Sequence, residues 1–151
     1  MLKKIIVGLI ILLAVAQFVR PEKNLSAGVS PNDITLKHPV PADVKNILQR
    51  ACYDCHSNQT HYPWYAEVQP VAWWLDSHIK DGKRHLNFSE FAAYPAKRAA
   101  KKLTEVVDEV ENHVMPLPSY TWVHPEARLT PAEIKLLVDW AEALGQEIAP
   151  E

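Results

Sequence analysis

Glycine is nearly missing from this chain, with four in 151 residues against twelve prolines. That balance excludes a sheet of tight hairpins and suits helices joined by stiff, proline-marked loops. Cysteine is almost absent too, and two residues cannot make the multi-bridge framework of a small secreted scaffold. Beyond the first residue there is one methionine, Met115. Neither charge sign is in excess, the net being −2, so no general attraction to nucleic acid is expected. No internal repeat, low-complexity tract or convincing strand pattern is present. Nearly half the residues are apolar, enough for a real core in one domain plus an N-terminal extra.

The extra is the opening MLKKIIVGLIILLAVAQFVRPEKN. Lys3 and Lys4 precede an apolar run from Ile5 to Val19, the layout of a secretory segment. Ala14-Val15-Ala16 offers a cleavage site. The run is short for a spanning helix, which needs about 20 apolar residues. Snorkelling lysines could extend it. An uncleaved anchor or a removed signal both follow, and both place the rest of the chain on the periplasmic side of the inner membrane. Residues 1–20 are therefore assigned to a signal or anchor segment, 21–40 to a tether, and 41–151 to the functional domain.

Helical periodicity begins at Pro41, with Val44, Ile47, Leu48 and Ala51 on one face. Pro70 opens a second helix carrying Val71, Trp74, Leu75, His78 and Ile79, which Gly82 should end. Ser89 and Glu90 suggest a short helix. Pro95 opens the longest, with Ala99, Leu103, Val106, Val107 and Val110 inward and Lys97, Arg98, Lys101 and Lys102 outward. Residues 114–129 read as loop. Thr130-Pro131-Ala132-Glu133 is a capping-box start. The stripe Ile134, Leu137, Val138, Ala141 and Leu144 follows, stopped by Gly145. Trp73, Trp74, Trp122 and Trp140 are expected in the core or lining a pocket.

The two cysteines fall at Cys52 and Cys55, with His56 immediately after. Four chemistries use such spacing. A thiol–disulfide redox pair needs a strand leading in, whereas a helix leads in here. A zinc site needs four ligands, and adding His61 would crowd them into ten residues. A structural disulfide suits an exported protein. Covalent haem attachment matches C-x-x-C-H itself: each thiol adds to one vinyl group, and the adjacent histidine lies under the iron as axial ligand. Export favours this last reading, because such attachment is completed outside the cytoplasm. Given haem, Met115 in the proline-stiffened HVMPLPSY is the expected second axial ligand. His113 and His78 are its main rivals, with His61 and His124 behind them. Tyr120 and Trp122 are candidates for the haem carboxylates, and Lys97 to Lys102 for docking an acidic redox partner.

CYDCH after an amphipathic helix, MPLP downstream and LTPAEIKLLVDWAEAL at the end together look like a monohaem cytochrome c. More specifically, QFVRPEKN, CYDCHSNQTHYPWY, PVAWWLDSHIKDGKRHLNFSEF and MPLPSY resemble the bacterial haem-binding domain family, small exported proteins with one C-x-x-C-H. The resemblance covers nearly the whole chain. It implies one haem c held through Cys52 and Cys55 with His56 proximal, and Met115 matches the methionine of the cytochrome loop. Two features depart from ordinary cytochrome c. The helix before Cys52 lacks the glycine that lets terminal helices cross, and residues 61–90 are unusual. The expectation is an all-α, cytochrome c-like haem domain that transfers single electrons to a partner protein. The alternatives are a haem enzyme or gas sensor with an open sixth position served by His78 or His113, and an interaction domain stapled by a Cys52–Cys55 disulfide.

Overall fold

The computed structural model describes residues 1–149; the last two residues of the expected 41–151 domain lie outside the described residues. Every long element is helical, and among the described residues the only β pairing is an isolated bridge between Leu25 and Gln59. The all-α expectation therefore holds.

The first helix, α1 (Leu2–Ala16), buries no residue, and its apolar side chains from Leu2 to Val15 are exposed. Fifteen residues span roughly 22 Å, short of the ~30 Å hydrocarbon core. Among the described residues no helix is long and apolar enough to cross a membrane. The expected spanning anchor is thus not found, because the helix ends at Ala16 rather than continuing to Val19.

Residues 21–40 have little regular structure, as their prolines predict, but they lie against the domain. Asn24 bonds Ser57 O and Thr60 Oγ1, both at 2.9 Å. Asp33 caps the single-turn α2 (Ile34–Lys37) by accepting from Thr35 N, and Ile34 is fully buried.

The domain proper is built on α3 (Ala42–Ala51), whose buried residues are Val44, Ile47, Leu48 and Ala51. That matches the sequence stripe. After a break at Cys52 a single turn, α4 (Tyr53–His56), follows and packs on α5 (Val71–His85). Helix α5 runs through Gly82 instead of ending there. The reason is steric: a Cβ at Gly82 would sit 2.6 Å from Cys55 O, so glycine marks a close approach inside the helix. A 3₁₀ segment, Phe88–Ala93, then buries Phe88 and Phe91.

Helix α6 (Ala96–Glu111) and helix α8 (Pro131–Ile148) pack along each other. Near the end of α8, Gly145 lies against Leu103 in the middle of α6. Here too the predicted stop at Gly145 is passed. With 18 residues α8 is longer than α6, which has 16. Its start carries the complete capping box of Thr130 and Glu133. Helix α8 also touches α3. The loop predicted at 114–129 contains a short helix, α7 (Pro118–Val123), with Pro118 at its first position, and a 3₁₀ turn, Pro125–Ala127.

The tryptophans correct the sequence expectation most. Only Trp140 is buried, its indole donating to Pro39 O at 3.1 Å. Trp73 and Trp74 are 41% and 48% exposed, and Trp122 is 82% exposed.

Candidate functional site

A cavity of about 500 Å³ opens beside α4, within the range of small-molecule and cofactor pockets. Its lining falls into two walls. One is Cys52, Asp54, Cys55 and His56 with the facing side of α5, including His78 and Gly82; the other is α6 from Lys102 to Glu109 with Met115, Leu117 and Tyr120. Helices α4 and α5 pack on each other, whereas α6 packs on α8, which leaves the space between the walls.

The Cys-x-x-Cys-His turn alternates its side chains. Tyr53 turns to the core, stacking on Phe88 at 5.6 Å, and its hydroxyl is buried without a hydrogen-bond partner. Asp54 lines the cavity and accepts from Tyr120 OH at 2.7 Å and from His61 N at 2.9 Å. The half-buried thiols are unpaired. Burial pushes Cys52 up to about 12, with Cys55 adding to the shift, and pushes Cys55 to about 11 with help from Asp54. These are protonated thiols at neutral pH, the reverse of the acidified cysteine of a disulfide-exchange enzyme.

His56 is oriented by the end of α5: its Nδ1 lies 2.9 Å from Leu86 O. A carbonyl can only accept, so Nδ1 carries the proton and Nε2 keeps its lone pair. Burial lowers the His56 pKa, which favours the neutral imidazole that a metal needs. Backbone carbonyl support of this kind is usual behind an iron- or zinc-bound histidine. Gly82 makes it possible, because any side chain there would push α5, and Leu86 with it, away from the turn.

Of the predicted second ligands, Met115 and His78 reach the cavity and His61, His113 and His124 do not line it. Met115 is half-buried and its amide donates to Glu109 O at 3.0 Å, tying it to the end of α6. His78 lies on the α5 wall, with Nδ1 committed to Trp74 O at 2.8 Å. Tyr120 lines the cavity as expected but gives its hydroxyl to Asp54; Trp122 projects to solvent. Lys102, read as an outward residue, is only 14% exposed in its side chain and lines the cavity, paired with Glu105.

Asp54 and Gly82 were not singled out as site residues by sequence, and Lys102 was read only as part of an outward docking patch. Two signals were available: Asp54 sits inside the motif, and with four glycines in the chain a glycine amid a helical pattern asks for a packing reason.

The donor set fits a covalently held haem. Two thiols, an imidazole with a free Nε2 and a thioether sulfur line one cavity. It does not fit zinc, since among the described residues no group of three or more His, Cys, Asp or Glu side chains is gathered to hold a metal ion.

The model of the haem-binding domain family matches residues 11–143. The chain belongs to that family, and binding haem is its function at this level. Searches of curated proteins and of solved structures each found no match.

Proposed function

We propose that the chain carries one haem c, joined by thioethers to Cys52 and Cys55, with His56 Nε2 as proximal ligand and Met115 as distal ligand, and that it transfers single electrons. The observation that carries the reading is the cavity that holds these four side chains, with His56 already aimed by Leu86 O. The iron, when bound, supplies the one-electron chemistry, and Met/His ligation suits electron transfer. The chain's own part is to fix the imidazole, exclude water with Val106, Leu86 and Leu117, and keep the ligand set unchanged between redox states.

Met115 is favoured over His78 because His78 sits on α5, the helix whose end already supports His56. Met115 comes from the other wall. Export is part of the proposal: the lysines ahead of an exposed apolar α1 fit a secretory segment, and thioether attachment is completed outside the cytoplasm. The domain would then work on the periplasmic side, passing electrons to a partner protein.

Expression with export and haem-attachment machinery provides the test. The expected protein is red, keeps its colour through acid-acetone extraction, and shows a weak band at the red end of the visible spectrum that Met115→Ala abolishes. Colour lost on extraction rules out covalent attachment. A high-spin ferric spectrum in the unaltered protein rules out Met115 ligation and favours a haem enzyme or sensor.

A further inference from the structure

We propose that the Asp54–Tyr120 hydrogen bond is a latch that keeps the 115–120 segment closed on the haem cavity and so limits access of outside ligands to the iron. The proposal rests on the reading that His56 and this segment face the haem from opposite walls.

Beyond its end the segment is tied by His124 to Tyr65 and by Thr121 O to Arg128, but over residues 115–120 little else holds it. Helix α7 contains no buried residue, and His113, Val114, Pro118 and Ser119 are exposed. Backbone bonds from Val114 and Met115 to Glu109 O fix only its beginning. Segments with few buried contacts open at low cost. Among the described residues Tyr120 OH to Asp54 Oδ2, at 2.7 Å, is the one side-chain hydrogen bond that crosses between the two cavity walls.

Both ends of that bond are braced. Asp54 accepts from His61 N through its other oxygen, and its carbonyl accepts from Thr60 Oγ1 at 2.6 Å. The Tyr120 ring stacks on His124 at 4.4 Å, and His124 Nε2 is 2.6 Å from Tyr65 OH. The phenol therefore presents its hydroxyl to a carboxylate whose other oxygen is already held by His61 N. A hydrogen bond to a charged acceptor is among the stronger kinds. Residue 120 and residue 54 act here as positioning residues, since each works through the segment rather than on the iron.

Tyr120→Phe removes one oxygen and keeps the ring stack. In the haem-loaded ferric protein it should speed cyanide binding about tenfold to a hundredfold, the range expected for one charge-assisted bond. Amide hydrogen exchange across residues 114–121 should quicken by a similar factor. Asp54→Ala should do the same, and the double variant should be no faster than either single one, because both remove one interaction. Cyanide and exchange rates within about twofold of the unaltered protein in Tyr120→Phe would overturn the latch. If the unaltered protein lacks the methionine band, the Met115 reading fails, while the exchange arm still decides the latch.

Discussion

Replacing Gly82 with alanine tests the contact on which the site's geometry depends. The new Cβ would lie 2.6 Å from Cys55 O and 3.1 Å from both Cys55 C and Cys55 Cβ. Carbon and oxygen sit comfortably at ~3.3 Å or more, so the carbonyl contact is short by roughly 0.7 Å. The obstructing oxygen is backbone, and no flexible side chain can swing aside. Overpacking of this kind costs ~1–3 kcal/mol, and the upper half of that range applies. Alanine recovers ~1 kcal/mol of helix propensity. The net loss is then ~1–2 kcal/mol, or roughly 2–8 °C in melting temperature for a chain of this length. A second signature follows from the same displacement: Leu86 O leaves its 2.9 Å position beside His56 Nδ1, and the proximal imidazole loosens. Gly145→Ala supplies the opposite sign. Its Cβ would meet Leu103 Cβ at 3.6 Å, an ordinary contact, so the variant should gain ~0.5–1 kcal/mol. Thermal melts of the haem-loaded proteins, read at the haem absorption, compare the two directly. A Gly82→Ala protein as stable as its parent would refute the reasoning.

Two further outcomes are expected. Glu133 is held below its ordinary carboxylate value of 4.5, first by the bond from Thr130 N, then by the Thr130 hydroxyl and Arg50. Its contribution to stability is present above that ordinary value and is lost as pH falls through the lowered one; urea midpoints between about pH 6 and pH 3 should fall less steeply in Glu133→Gln. Trp140→Ala should cost ~3–5 kcal/mol by emptying a buried site, whereas Trp122→Ala should stay within ~0.5 kcal/mol in the same urea titration, since its ring is 82% exposed.

The helices that carry the core were legible because burial imposes a period. Val44, Ile47, Leu48 and Ala51 of α3 are all buried, as are Leu137, Val138, Ala141 and Leu144 of α8. The capping box at Thr130 was legible because the same side chains satisfy the same orphan amides wherever they occur. Misreadings share a cause. Gly82 and Gly145 were taken as local punctuation, but both answer to a neighbouring chain: Cys55 at one, Leu103 at the other. Lys102 was grouped with its charged neighbours, although its position in the helix turns it to the cavity wall with Val106 and Glu109. Trp73, Trp74 and Trp122 were assigned inward because large aromatics usually are. No periodic rule distinguishes an indole that packs from one that faces outward. The Cys52–Cys55–His56 unit needed no such context, being confined to a single short stretch of sequence. Met115 did need it, because only the fold shows that it reaches the cavity while His113, two residues away, does not.

The junction between α1 and the domain bears on the export proposal. The Gln17 side chain pairs with the Gln69 backbone, its Oε1 accepting from Gln69 N at 2.9 Å, and Val19 O accepts from both Gln69 Nε2 and Trp73 Nε1. Arg20 and Lys23 pair with Glu67. Residues from Gln17 onward thus belong physically to the haem domain, while Leu2 to Val15 expose their apolar side chains. The change falls at Ala16, the last residue of the Ala14-Val15-Ala16 motif. Cleavage there would remove only the exposed helix and leave every one of these bonds in place. Retention of α1 would leave its exposed apolar side chains beside the Gln69–Trp73 corner of the domain. In either case the bonds from Gln17 onward, and with them the site, stay as they are.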